Sequence, residues 1–438
     1  MSKILPIFFL ACGLQSAVYA QENSPYSRYG LGDLVPNSNV TSRGMGGITA
    51  GFNDFSGINF TNPASYANLK STIFDIGMEI DRKTLKSTNP PASFTATNSV
   101  MTYLQLGFPI KMTKANKKGI FWGMNLGLKP LTRINYKISA LSRVDNVDSV
   151  GTIYEGNGGL NQAYLGTALR IKKLSLGVNA GYMFGNKNFS TLLTFLNDSV
   201  QYAQSNSENK TNFGGLFING GMQFEQRIKG KNKSESILRF GAYGSVKQTM
   251  SATKDASAET VVFDAAGNKF RVDSVFENNI KGEVIYPATL GAGVTYQTRN
   301  WLFGLDYEKT NWQDFRYFNE DNNVQNTWKI RFGTEYLPLK DNTPFKKYFS
   351  FVRYRFGFHY GPDYIKLNES RPEYGFSFGA GFPLKLRKGY YETQTSLLNT
   401  AIEIGSRGDK NSNLRETTFR ICFGLSLSDL WFGRAKYQ

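Results

Sequence analysis

From about Ser71 to the end of the chain, apolar and polar residues alternate with a period of two. Phe74, Ile76, Met78 and Ile80 fall on one face of an extended strand, and Asp75, Gly77, Glu79 and Asp81 on the other. The same device recurs in Leu104, Leu106, Phe108 and Ile110, in Ile120, Trp122, Met124, Leu126 and Leu128, in Leu174, Leu176, Val178, Ala180 and Tyr182, and in Leu216, Ile218, Gly220, Met222 and Phe224. The alternating segments run for roughly nine to twelve residues, the length a tilted strand needs to cross a bilayer. A soluble β-sandwich alternates too. Even segment length, flanking Tyr and Trp, and an inner face that carries carboxylates and mid-strand glycines favour a transmembrane barrel, where small inward residues leave room for a lumen or a plug.

Polar inserts at residues 82–97, 139–159, 186–212, 250–281 and 319–327 alternate with tight turns at 171–173 and 298–300. Long connections on one side and short turns on the other is the asymmetry of such barrels. Within the fourth insert, Ala266, Gly267 and Asn268 form a turn-prone triplet about which 261–275 would fold as its own hairpin.

Residues 1–20 read as a signal peptide: Lys3, a short apolar run, then Val18, Tyr19 and Ala20 before Gln21. A lipoprotein signal around Cys12 is the rival, but it leaves an apolar core of only about eight residues. Beyond residue 20 there is no apolar run of 18 or more residues, so insertion has to be by strands in an outer membrane. Residues 71–432 are then the barrel and 433–438 a short tail, with a last strand over 417–427 followed by Trp431 and Phe432.

Residues 21–70 differ from everything after them, being rich in Ser, Asn, Gly and Pro. Arg43, Gly44, Met45, Gly46 and Gly47 lead after about a dozen residues to Asn62, Pro63 and Ala64. Glycines and an Asn-Pro step allow tight reversals, so a compact internal plug is physically sensible. The glycine run lacks the preceding strand and following Lys of a phosphate loop.

The stretch from Arg43 to Ala64 resembles the N-terminal hatch of the FadL-type outer-membrane transporters of hydrophobic compounds. Tyr286 to Gly293, followed by Trp301 to Tyr307, Trp312 and Phe315, is similar to that family's late-barrel pattern. The resemblance implies an all-β antiparallel barrel of about 14 strands with the hatch inside, a hydrophobic pocket, and lateral release into the membrane. Ser24 to Leu34 extends beyond the family's usual start. Residues 348–358 and 416–432 look like barrels of the Bacteroidetes lineage, whose FadL-type members also partner the type IX secretion translocon.

Composition narrows the chemistry. With His359 as the only histidine and two cysteines among 438 residues, zinc, iron–sulfur and haem sites cannot be assembled. A catalytic triad lacks its usual base, so neither enzymatic activity nor a cofactor is expected. The net charge of +17 is spread over separate turns, which suits anionic lipid and lipopolysaccharide rather than nucleic acid. Asp75, Glu79 and Asp81 face the lumen, either paired with basic residues such as Arg28 and Arg43 or solvated in a wet interior. Two roles result: passage of a small hydrophobic compound gated by the hatch at Asn62, Pro63 and Ala64, or an accessory barrel that docks a secretion-system or surface protein without transport.

Overall fold

The computed structural model describes residues 25–429, apart from 55, 89–90, 111–117, 145–147, 197–202, 231–234, 265–267, 321–322, 340–346, 367–369, 385–395, 409–411 and 413. The expected signal peptide, Trp431, Phe432 and the tail lie outside the described residues.

Fourteen antiparallel strands close into a barrel. In chain order they are β1 (Thr72–Thr88), β2 (Pro91–Ile110), β3 (Ile120–Val144), β4 (Asp148–Ile171), β5 (Leu174–Phe195) and β6 (Gln204–Lys229). Then come β7 (Glu235–Ser245 continued by Gln248–Phe263), β8 (Lys269–Tyr286 continued by Thr289–Gln297), β9 (Trp301–Thr310) and β10 (Thr327–Tyr336). The last four are β11 (Arg353–Lys366), β12 (Ser370–Pro383), β13 (Leu397–Arg407) and β14 (Leu414–Asp429). β8 is broken by Pro287, which cannot donate to a ladder, and β14 pairs with β1 from Leu414↔Ser87 to Asp429↔Thr72, which closes the ring.

Alternation places the side chains as the period of two requires. Phe74, Met78 and Ile80 are exposed on the outside, whereas Asp75, Glu79 and Asp81 are buried on the inside. Leu126, Leu165, Leu176, Ile218, Phe240, Leu305, Phe332, Phe378, Ile404 and Phe423 continue the exposed apolar face round the ring. On a membrane protein this face is in lipid, and the lumen takes the polar residues.

Strand length departs from the sequence expectation. The inserts at 82–97, 139–159, 186–212 and 250–281 are, in their described residues, mostly ladder rather than loop. β3 reaches 25 residues. Once the membrane-embedded halves set the register, backbone pairing continues without any apolar face, so polarity marks where the lipid ends and not where the strand ends. The hairpin predicted over 261–275 belongs to this pattern: the second half of β7 pairs with the first half of β8, with its turn at 265–267 outside the described residues. β9, by contrast, has 10 residues. At about 3.3 Å per residue and a tilt near 40°, that just spans a ~25 Å apolar band. The upper halves of β3 to β8 therefore rise as a paired sheet beyond the membrane on one side of the mouth, while β9 and β10 stop at its rim.

One wall is unzipped. β2 pairs with β3 only from Leu104↔Leu128 to Ile110↔Trp122. Above that level a bulge between Pro130 and Thr132 and the positive φ angles of Gly158 and Gly159 bend β3 and β4 away from β2. The short strand Asp33–Leu34 from the N-terminal segment pairs there with Thr132 and Arg133.

Mid-strand glycines let residues 39–68 lie directly against the wall. A Cβ on Gly241 would overlap Ala50 O, one on Gly357 the Gly46 nitrogen, one on Gly123 Tyr66 O and one on Gly221 the Asn62 side chain. Gly220, one residue along, has nothing nearer than 3.9 Å. Gly241→Ala and Gly357→Ala are therefore expected to destabilise the barrel by about 1–3 kcal/mol through overpacking, with Gly220→Ala near neutral. The unfolding midpoint of each variant, read from heat-modifiable gel mobility, checks this; equal midpoints for all three would show that the segment does not contact the wall as described.

Candidate functional site

The N-terminal segment runs down the inside of the ring. A 3-10 turn, Pro25–Arg28, sits at the end with the long hairpins, where Tyr26 Oη donates to Leu414 O at 2.7 Å and its ring lies 3.8 Å under the Arg371 guanidinium. Leu31 joins an apolar cluster with Trp312, Phe315, Tyr364 and Ile365, and the Trp312 and Tyr364 rings are 4.6 Å apart. Deeper in, the helical turn Val40–Arg43 is N-capped by Asn39, and all four of its residues are buried. At the tight-turn end, the 3-10 helix Pro63–Asn68 leads into β1.

Three charged residues clamp this segment to strands round the ring. Arg43 donates through Nε and Nη2 to Glu403 at 2.7 and 2.8 Å and through Nη1 to Glu79 at 2.5 Å, while Arg133 meets the other Glu79 oxygen at 2.6 Å. Asp33 accepts from Lys83 at 2.7 Å and from Arg407 at 3.0 Å. Asp54 accepts from Ser56 at 2.7 Å and faces Arg353 at 3.4 Å. Burial by itself raises the pKa of both aspartates. For Asp33 the charges of Lys83 and Arg407 outweigh it, and for Asp54 Arg353 and the Ser56 hydrogen bonds do, so both carboxyls are held below their ordinary 3.8.

The residues singled out from the sequence fall into three groups. Arg43 is a clamp, Gly44 ends its helical turn against Gly379, and Met45 packs with Ile48, Phe52 and Leu302. Gly46 and Gly47 have φ near +67° and +83°, and Gly46 is wedged against the β10 and β11 backbones, where a Cβ would come within 2.7 Å of Phe358 N. Asn62 is fully buried and donates to Ala50 O, Met222 O and Ala242 O at 2.7, 3.2 and 3.3 Å, while its Oδ1 accepts from Ala64 N. It ties the segment to β6 and β7, with Pro63 starting the 3-10 helix after it and Ala64 fully buried. Among the carboxylates, Glu79 is doubly paired and Asp81 lies 3.3 Å from Arg420. Asp75 is held instead by Ile58 N, Tyr103 Oη and Ser426 Oγ. Arg28 stands apart from these carboxylates, with its guanidinium 4.8 Å from the centre of the Tyr154 ring.

Most of the lining was not foreseen. Asp306 takes the Thr49 and Ala50 amides at 2.5 and 2.8 Å, Arg331 pairs with Glu308 at 2.7 Å, and Glu403 and Arg420 complete the cluster round Arg43. The signal was in the sequence as single charges flanked by outward apolar residues: Leu305-Asp306-Tyr307, Ile330-Arg331-Phe332, Ile402-Glu403-Ile404 and Phe419-Arg420-Ile421.

One cavity adjoins the segment and another lies in the wall. The first, of about 190 Å³, lies between the segment and the far wall, lined by Arg43, Arg331, Glu308, Glu373, Glu403 and Arg407 among other, mostly polar, residues. The other, about 420 Å³, lies in the unzipped wall between Val100, Met101 and Tyr103 on β2 and Leu128, Pro130 and Arg133 on β3. The first offers charged hydrogen-bonding groups; the second mixes apolar side chains with Lys129 and Arg133.

A family model named BamG matches residues 1–438, the whole length of the chain. The chain belongs to the BamG family. No curated protein matches it significantly. This BamG-family barrel shares its fold with the P. putida toluene transporter TodX at 15% identity and a TM-score of 0.54, over 91% of this chain and 100% of that one. A Ralstonia pickettii toluene transporter, TbuX, gives 15% and 0.53 over 89% and 98%. A Pseudomonas aeruginosa FadL homologue gives 13% and 0.54 over 91% and 99%. Identities this low establish a common fold and nothing further.

Two outcomes are expected from the clamps of this BamG-family chain. Arg43→Met leaves Glu79 and Glu403 buried without their shared cation, at a cost of about 3–5 kcal/mol. Limited proteolysis should then cut within 25–70 at least tenfold faster than in the wild type; equal rates would show that Arg43 does not hold the segment. Because Asp33 and Asp54 have depressed pKa values, their contribution is complete above 3.8 and is lost as pH falls below it. Cleavage of the segment by pepsin, divided at each pH by cleavage of an unfolded reference peptide to remove the protease's own pH dependence, should stay flat from pH 6 down to about 4 and rise below that. A rise centred near pH 6 would assign the response to other groups.

Proposed function

We propose that this chain is an outer-membrane barrel with a filled lumen that acts as a docking subunit of a surface assembly and not as a conduit for a hydrophobic compound. The observation that carries the reading is what fills the lumen. Three charged clamps hold the N-terminal segment against strands on several sides, and the cavity left beside it is lined mostly by charged and polar groups. Extracting the segment would strand buried charges. The extension before Asp33, longer than a FadL-type start, puts Tyr26 and Leu31 into the apolar cluster with Trp312, Phe315 and Tyr364, so that apolar surface is covered by the chain itself. Membership of the BamG family, which is distinct from the FadL family, supports the same reading. A type IX secretion translocon is one assembly such a subunit would serve, given the resemblance of its late strands to barrels of that lineage.

A second reading is passage of a small hydrophobic compound gated by the hatch at Asn62–Ala64, with lateral release. The observation in its favour is the apolar-edged cavity in the unzipped wall, together with fold neighbours that include toluene transporters. In liposomes loaded with the purified chain, toluene entry should match that of protein-free liposomes, and Asn62→Ala should leave it unchanged. In solubilised membranes the tagged chain should carry a stoichiometric protein partner. A tenfold rise in toluene entry that Asn62→Ala alters would establish the second reading in place of the first.

A further inference from the structure

The outer part of β8 has one edge without a partner, and this inference rests on the docking reading above. From Phe270 to Tyr286 this strand pairs on one side with β7. On the other side, among the described residues, the ladder is filled only at its lower end, where Arg316 and Tyr317 pair with Ile285 and Val284 and Phe318 N donates to Glu283 O at 2.9 Å. Residues 270–282 above that point present their outward main-chain donors and acceptors to no strand among the described residues. The short length of β9 is the cause: it ends at Thr310, and among the described residues only 316–318 follow β8 upward from there.

This edge lies well clear of the membrane. Thr310 pairs with Thr289 at the level where the lipid-spanning ladder ends, and from Val284 to Phe270 the strand runs roughly 45 Å at about 3.3 Å per residue, a climb of about 35 Å at a tilt near 40°. In water, a free edge is normally protected by charge and kept free of large apolar side chains; this one carries Arg271, Asp273, Glu277 and Lys281, yet open apolar side chains stand between them. Here Phe270 is 54% exposed, Val272 62%, Val275 65% and Phe276 47%. Val275 and Phe276, consecutive in a regular ladder, project to opposite faces of the sheet, so a strand laid along this edge would meet an open apolar side chain on each face.

We propose that residues 273–277 of β8 are the docking edge for a partner, and that the occupant is an extended stretch of another surface polypeptide, added as a strand with apolar side chains beside Val275 and Phe276. Three features select that occupant. The chain's own residues 316–318 already extend the same edge, so the geometry accepts an added strand. Main-chain groups on an edge recognise main chain, and the side chains beside them supply selectivity. Bulges between Arg271 and Asp273 and between Glu277 and Ile280 bound the regular run at five residues, Asp273 to Glu277, which suits one short strand and works against open-ended stacking of copies of the same sheet.

The test uses the full-length tagged chain isolated from its own membranes with whatever protein is bound stoichiometrically, compared with the same chain after high-salt stripping. Amide hydrogen exchange over 269–286 should be at least a hundredfold slower in the complex at those amides of 273–277 that point away from β7, and unchanged in the lower half of β8. Val275→Asp combined with Phe276→Asp should reduce recovery of the bound protein at least tenfold while leaving heat-modifiable gel mobility as in the wild type. If a partner is present but exchange at 273–277 is unaltered, the edge is not the docking site and the docking reading stands. If the only bound protein is a second copy of the chain, the edge is a homodimer contact and the proposal fails. If no protein is bound at all, the docking reading itself falls and this inference with it.

Discussion

Arg43 sits at the junction on which the rest of the molecule depends. It is buried to 2% exposure, so its charge must be matched within reach, and the matching groups are Glu79 on β1 and Glu403 on β13. Those two strands flank β14, the strand whose pairing with β1 closes the ring. Arg420 on β14 lies 3.3 Å from Asp81 and 3.7 Å from Glu403, and Arg133 on β3 takes the second oxygen of Glu79. One guanidinium from the N-terminal segment therefore ties together the strands on either side of the closure. A buried ion pair gains little net stability over an apolar filling, but losing one partner is expensive. The arrangement thus fixes a single seating of the segment more than it adds to total stability.

The glycines serve the same seating by a different means. A peptide backbone can lie flat on a strand only where the strand offers no Cβ, and Gly123, Gly221, Gly241 and Gly357 are placed under Tyr66, Asn62, Ala50 and Gly46. Charges on the segment choose its orientation, and glycines on the wall set its depth. Where the wall opens between β2 and β3, Asp33 and Leu34 take the vacant ladder position, so the opening and the filling belong to one device. The fold is shared with toluene transporters, but its interior is bound to its own chain by charge.

Height divides the barrel into regions with separate tasks. All fourteen strands cross the apolar band; β3 to β8 carry a paired sheet far beyond it on one side of the mouth, and β14, β1 and β2 carry another. A ladder that outlasts its lipid must satisfy its edges in some other way. At β3 the edge is taken in part by Asp33 and Leu34, and at β8 in part by Arg316 and Tyr317. Among the described residues, the remaining length of β8 has no such cover, nor do the facing upper edges of β2 and β3 beyond Asp33 and Leu34.

Period-two alternation decided the barrel and which side chains face lipid, because a strand with lipid on one side and a polar lumen on the other has no freedom to mix them. It placed Asp75, Glu79 and Asp81 on the inner face, and the Gly and Asn-Pro signals marked residues 21–70 as a compact segment of a different kind. Strand length was not legible, since polar ladder and polar loop have the same composition; hence 82–97 and 139–159 read as inserts and folded mostly as strand. Nor could the sequence match Arg43 to Glu403, 360 residues away, or leave Arg28 over Tyr154 instead of at a carboxylate. Partners of buried charges are chosen by closure of the ring, which brings first and last strands together. Local pattern carries the direction in which each side chain points, and only the tertiary structure decides what it meets there.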